Sequence, residues 1–145
     1  MIKIICIGKI KEDYLTNAIN DYKKRLTKYH KIELIELKDS NIIEEKKSIL
    51  SHINKTDYII SLCIEGKEYN TLELSNKIDN LLTSGKSNIT FIIGGSEGLD
   101  NEIKSISNEL ISFSKLTFPH GLFRLILLEQ LYRVFKILNN ETYHK

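Results

Sequence analysis

The stretch Asn88-Ile89-Thr90-Phe91-Ile92-Ile93-Gly94-Gly95-Ser96-Glu97-Gly98-Leu99 decides how this chain folds. Its first half is apolar and β-branched without alternation, the pattern of a strand covered on both faces. Its second half is a glycine turn, where positive φ and a close backbone approach are open to the chain. An amphipathic helix over residues 99–108 follows, so the unit reads strand, turn, helix.

The same alternation extends outward in both directions. Toward the N-terminus, Asn70 or Thr71 caps a helix that runs to about Leu82. Glu73 stands in its first turn, Leu74, Ile78 and Leu81 face inward, and Gly85 is its stop signal. Before it, residues 57–64 are nearly continuous in apolar side chains, a second buried strand. Residues 41–53 carry Ile42, Ile49, Leu50 and Ile53 on one helical face, and residues 31–37 alternate as a half-buried strand does. Leu15, Ala18, Ile19, Tyr22 and Leu26 recur at helical spacing within residues 12–29, and residues 2–8 form the first strand. Toward the C-terminus, a short strand over 110–114 precedes Pro119, and a last helix runs to about Asn139. Five strand–helix alternations predict an α/β fold, a mainly parallel sheet with helices on both faces. Ligands in such sheets bind outside the carboxyl ends of the strands. Those ends are Gly8-Lys9, Ile64-Glu65-Gly66, Gly94-Gly95 and residues 115–120.

With 145 residues and neither a repeat nor a flexible linker, residues 1–145 read as one domain. Hydrophobic residues at 41% and charged residues at 28% exclude a disordered chain. No apolar run is long enough to cross a bilayer, so no membrane partner is expected, and the N-terminus lacks the features of a secretion signal. Cys6 and Cys63 lie in strand-like apolar runs and read as core fillers. No metal-ligand spacing is present, so no metal is expected, and the absence of a disulfide framework points to the cytoplasm. The net charge of +2 does not by itself announce nucleic acid. Lys115, Arg124, Arg133, Lys136 and Lys145 against Glu129 and Glu141 nevertheless make the C-terminal quarter mildly basic, a pattern a solvated helix face also shows.

Few residues carry obvious chemistry. The G-G-x-x-G turn departs from the dinucleotide fingerprint and lacks the Lys-Ser/Thr of a phosphate loop, so it is a tight turn or a ligand contact. His120, next to the only proline, reads as a base, a phosphate contact or a capping residue. No nucleophile–base pair and no paired carboxylates appear, which argues against covalent hydrolysis. The terminal Tyr143-His144-Lys145 sets a ring beside hydrogen-bonding and cationic groups, as RNA loop recognition requires, although terminal tails also fray. The last helix, residues 122–138, is apolar nearly all round. One face can meet the sheet and the other needs a partner, which predicts a homodimer through this helix, with Leu127 a candidate outward residue.

Several of these pieces occur together, in this order, in one family. IIGGSEGL (92–99), SFSKLTFPH (112–120), RLILLEQLYRVFKI (124–137) and YHK (143–145) resemble the ribosomal RNA large subunit methyltransferase H family of the SPOUT class, over essentially the whole chain. The chain looks short between Lys38 and Ser48, where relatives often carry a longer loop. The resemblance implies a C-terminal segment threaded into a trefoil knot and a homodimer. It also implies methyl transfer from S-adenosyl-L-methionine to N3 of a pseudouridine, in the helix 69 loop of 23S rRNA on the assembled ribosome. By motif, the cofactor contacts fall on Leu62, Gly94, Phe113, Ser114, Lys115, Leu116, Thr117 and Phe118. His120, His144 or solvent would take the N3 proton, Arg133 or Lys145 would stabilise charge on the base, and Tyr143 would stack on it. Two other readings stand beside it: a non-catalytic ribosome- or RNA-binding α/β module, and a small nucleotide-binding protein with a flavodoxin-like sheet. The modest charge makes a preformed ribosomal surface, rather than naked RNA, the expected partner.

Overall fold

The computed structural model describes every residue of the chain except Ser87. Its elements are β1 (Ile2–Ile7), α1 (Asp13–Leu26), β2 (Ile32–Leu37), α2 (Ile42–Leu50), β3 (Asp57–Glu68), α3 (Thr71–Thr83), β4 (Asn88–Ile93), α4 (Asn101–Ile106), β5 (Glu109–Ser112) and α5 (His120–Leu138). The strands form one sheet of order β2-β1-β4-β3-β5, and every pairing is parallel. The α/β fold expected from the alternation is therefore the fold observed.

Period-two alternation decides which side each residue faces. Ile2, Ile4 and Cys6 of β1, with Ile89, Phe91 and Ile93 of β4, join the larger core beneath α1, α3 and α5. Ile5 and Ile7, with Ile92 of β4, point to the smaller core with Ile49 of α2 and Ile103 of α4. Both faces are thus covered, which is why β1 and β4 are mostly apolar, with Lys3 and Thr90 as buried polar exceptions. The α3 start is fixed by a capping box: Asn70 accepts from the Glu73 amide at 2.8 Å, and the Glu73 carboxylate accepts from the Asn70 amide at 2.9 Å. Gly85, at φ +84°, ends that helix as expected.

One departure from the sequence expectation, together with the path of the chain after β5, shapes the site. β3 does not stop at Ile64 but continues to Glu68. Leu62 and Lys67 both pair with Ile111, so the four residues between them bulge away from β5. The segment after β5 then returns from that sheet edge to β1, because His120 packs against Gly8. On the way, residues 113–119 cross the carboxyl ends of β3 and β4, and α5 then runs between α1 and α3.

At the opposite end of the sheet a buried ion pair ties β1 to β3. Lys3 Nζ lies 2.9 Å from Asp57 Oδ2 and donates to the His52 carbonyl at 2.6 Å, with side-chain exposures of 5% and 0% for Lys3 and Asp57. Burial alone would push the Asp57 carboxyl up. Hydrogen bonds from the Asn54 amide, Lys3 and Asn88 outweigh it and hold the group below its ordinary 3.8. Asp57→Ala leaves Lys3 buried and unpaired, so urea unfolding at neutral pH should show a loss of about 3–5 kcal/mol. A depressed folded-state value means that this contribution is present above pH 3.8 and is lost as pH falls through the folded value. The gap between wild type and variant should therefore narrow in acid, and equal stabilities at neutral pH would contradict the assignment.

Candidate active site

The returning segment roofs a cavity of about 610 Å³ at the carboxyl ends of β3 and β4. One wall is the β3 bulge, with Leu62, Cys63, Ile64 and Glu65. The floor is the turn after β4, and the roof is residues 112–114 and 116–120 with Phe123 of α5. Gly66 permits the bulge to close again, since a Cβ there would sit 2.6 Å from the Ile111 backbone. Gly94 permits the turn, since its Cβ would lie 2.6 Å from the Gly98 carbonyl oxygen.

The roof is held by short-range contacts. Ser112 Oγ donates to the Ser114 carbonyl at 2.9 Å, and the Leu116 amide donates to Ser114 Oγ at 3.0 Å. Phe113 and Phe118 lie 5.3 and 6.1 Å, ring to ring, from Phe123. Leu116 is left 70% exposed at the cavity edge, an apolar side chain available to a ligand. At the rim, Lys104 pairs with Glu65 and holds that carboxyl below its usual range. Cys63 is half-buried and lines the cavity, so it is not the core filler that its apolar run suggested, whereas Cys6 is. Burial pushes both thiols up, Cys6 to about 11.

The anchor of this arrangement is Arg124, a residue that reads in the sequence only as one more base of the C-terminal quarter. Its side chain is fully buried. It donates to the Ile7 carbonyl at 3.1 Å, the Gly8 carbonyl at 3.0 Å, Glu36 Oε2 at 2.6 Å and, through Nε, the His120 carbonyl at 3.4 Å. Gly8, at φ +92°, completes the junction because a Cβ would lie 2.7 Å from His120 Nε2.

Of the residues expected to hold a cofactor, Leu62, Gly94, Phe113, Ser114, Leu116, Thr117 and Phe118 meet in this cavity. Lys115 is exposed and outside its lining. The residues expected to act on a base divide into two places. His120 lines the cavity, whereas Arg133, Tyr143 and His144 gather toward the other end of α5. Arg133 is thirteen positions beyond His120 on the same helix, about 20 Å along the axis.

That second cluster is joined by its own contacts. Arg133 is held by Glu129, with Nε at 2.9 Å and a second nitrogen at 2.5 Å from the same oxygen. Its Nη1 lies 3.2 Å from His144 Nδ1, and because guanidinium only donates, that ring nitrogen accepts. The Tyr143 ring stands edge-on to Tyr132 at 4.9 Å and under the Arg133 guanidinium at 4.8 Å. A hydrogen bond with Tyr22, aided by burial, pushes the Tyr143 phenol up to about 12, so it is a donor and a stacking surface, not a base. Lys145 is exposed.

Leu127 is corrected by the structure: it is fully buried in the larger core and faces inward. The apolar circumference of α5 is met on three sides by the sheet, α1 and α3. The outward stripe is Leu122, Ile126, Glu129, Arg133 and Ile137, half-buried or exposed. No group of three or more metal-ligating side chains occurs among the described residues, and no described helix is long and apolar enough to cross a membrane.

Comparison with known proteins places the whole chain. The family described as "Predicted SPOUT methyltransferase" matches residues 1–144. A protein of Methanococcus maripaludis, provisionally named ribosomal RNA large subunit methyltransferase H, is 51% identical over 99% of both chains. The Clostridium botulinum (strain Hall) protein of the same name is 48% identical over the same shares. Those alignments run over 157 positions, longer than the 145 residues here. Among solved structures, a probable methylase family protein of Haemophilus influenzae superposes with TM-score 0.59 at 12% identity, covering 99% of this chain and 70% of that one. A probable methyltransferase of Bordetella pertussis does so with TM-score 0.57 at 8% identity, covering 92% and 95%. At these identities the superpositions speak for the fold.

The Arg124 junction makes a direct test of how the cavity is held. Arg124→Met fills similar volume but removes the guanidinium donor to the Ile7 and Gly8 carbonyls and leaves Glu36 with the Ile10 amide alone. Thermal and urea unfolding should show a loss of about 1–3 kcal/mol, the cost of a buried acceptor left unsatisfied, because Glu36 is one-third exposed and can be solvated. A variant as stable as wild type would contradict the anchoring role.

Proposed function

The chain belongs to the SPOUT methyltransferase family, and we propose that it transfers a methyl group from S-adenosyl-L-methionine to N3 of a pseudouridine in the helix 69 loop of 23S rRNA, on the assembled ribosome. The observation that carries this reading is the convergence of the family's motif residues on one apolar cavity at the strand ends, in a chain about half identical, end to end, to relatives named for that rRNA subunit. The crossing of residues 113–119 over the strand ends, with α5 buried behind them, supports the family's C-terminal trefoil knot.

The cavity fits the cofactor. Its volume lies in the range of small-molecule sites, and its lining is mostly apolar with a few polar groups. Leu62, Leu116 and Phe118 offer surfaces for a purine, the bare backbone at Gly94 lets it approach closely, and Lys104 with Glu65 faces the charged end of an amino acid. No cationic cluster marks a polyphosphate site among the lining residues, which argues against a nucleotide-binding flavodoxin-like protein. When bound, S-adenosyl-L-methionine supplies an activated methyl group, so the protein's task is positioning.

Methylation at N3 also requires loss of the N3 proton. His120 lines the cavity and is one acceptor the fold places there, with His144 and solvent as the others. Arg133, Tyr143, His144 and Lys145 cannot reach the cavity of their own chain. A homodimer through the outward stripe of α5, with the two helices antiparallel, brings the tail of one subunit beside the cavity of the other. The complete site is then shared: cavity and His120 from one subunit, a stacking phenol and cationic groups from its partner.

Three measurements test this reading. Calorimetric titration with S-adenosyl-L-methionine should show binding that Leu116→Ala weakens about tenfold, or 1.4 kcal/mol, while stability is unchanged because Leu116 is exposed. No binding by wild type would overturn the methyltransferase in favour of a non-catalytic RNA-binding module. Ile126→Glu should dissociate the dimer in sedimentation without unfolding the chain, whereas Leu127→Glu should unfold it; a wild-type monomer at micromolar concentration would contradict the shared site. His144→Ala with Lys145→Ala should slow single-turnover methylation of ribosomes lacking the mark by more than tenfold and change cofactor affinity by less. Equal transfer rates would remove the tail from the mechanism. Point variants are preferable to truncation, because Tyr143 packs against the core.

A further inference from the structure

The C-terminal turns of α1 lie against the far end of α5 and carry a cationic surface that the methyl-transfer chemistry leaves unused. Lys24, in the last turn of α1, and Lys28, in the turn just beyond the helix, are both exposed. Arg25 is held 5.4 Å from the Tyr22 ring and 5.6 Å from the Tyr132 ring. Lys28 lies 5.4 Å from the Tyr29 ring, and Lys136 lies 5.4 Å from Tyr132 and 5.8 Å from Tyr29. Aromatic faces therefore hold Arg25, Lys28 and Lys136 before any partner arrives, and Lys24 stands beside them.

The acidic groups on this surface are already engaged. Asp21 pairs with Arg25 at 3.1 Å, and Glu129 holds Arg133. Glu141 accepts from the Tyr29 hydroxyl at 2.7 Å and from Lys136 at 3.1 Å, and lies 3.8 Å from Lys28. Lys24 and Lys145 have no anionic partner among the described residues, and Lys28 keeps 70% of its side chain exposed. Cations are in excess, and the surface runs directly into Arg133, His144 and Lys145. We propose that Lys24 and Arg25 of α1, with Lys28 in the turn that follows, form a docking platform for the phosphate backbone of rRNA, continuous with the tail that handles the target base.

The inference rests on the rRNA methyltransferase reading and adds to it the surface that holds the RNA strand. A membrane fits the same charges less well, because the last turns of α1 present no large exposed apolar side chain between the lysines. The test compares wild type, Lys24→Ala/Lys28→Ala and Lys24→Arg/Lys28→Arg for binding to ribosomes lacking the modification, over a range of salt concentrations. The alanine pair should bind at least tenfold more weakly at low salt. Its dependence of log K on log salt should be shallower by about 1.4–1.8, for two lost phosphate contacts. The arginine pair should restore both, and all three proteins should bind S-adenosyl-L-methionine equally. Unchanged affinity and slope in the alanine pair, in a protein whose wild type methylates ribosomes, would overturn the platform alone. A wild type that does not methylate ribosomes would overturn the underlying reading with it. Binding to phosphatidylserine vesicles that the alanine pair abolishes, with ribosome binding intact, would assign the surface to a membrane and overturn the proposal.

Discussion

One fully buried guanidinium, that of Arg124, fixes where α5 begins, and the cavity follows from that position. The Ile7 and Gly8 carbonyls lie where β1 runs out, and Glu36 stands on the neighbouring strand. Arginine is the one side chain with enough donors, in a rigid planar fork, to meet these acceptors together. A buried charge without them would cost several kcal/mol, so the start of α5 is bound to the end of β1. β5, however, ends at the far edge of the sheet. The intervening residues must therefore cross the ends of β3 and β4, and that crossing is the roof over the cavity.

The remaining walls answer to the same geometry. Because Leu62 and Lys67 both pair with Ile111, residues 63–66 are displaced from the ladder and form the side of the cavity. Backbone crowding explains two of the glycines nearby: at Gly66 and Gly94 a side chain would collide with main-chain atoms, which cannot give way as a flexible side chain can. The outcome is a preformed, largely apolar site, while the groups suited to an RNA base sit some 20 Å away along α5. Distance within one chain is what makes a second subunit necessary to the proposed chemistry.

Much of this was legible in the residues. The largely apolar strands β1 and β4, the Asn70–Glu73 capping pair and the stop at Gly85 each express a local rule, and each element lies where that rule puts it. The cavity residues were legible through motif resemblance and not through chemistry, since no catalytic pair marks them. What stayed hidden depends on contacts far apart in sequence. The bulge in β3 is set by its pairing with β5. Arg124 looks like a surface base until β1 is brought against α5, although its apolar neighbours Leu125 to Leu128 were the available signal. Leu127 was misjudged for a related reason: an all-round apolar helix can be covered on three sides by its own domain.

Methyl transfer to the ribosome can be observed directly. Ribosomes isolated without the modification, incubated with this protein and S-adenosyl-L-methionine, would be analysed by mass spectrometry of 23S rRNA digests. The predicted result is the gain of one methyl group on a pseudouridine in the helix 69 loop, and no gain in the same reaction without the protein. A 23S rRNA that remains unmethylated, or a methyl group placed on any other nucleotide, would contradict it.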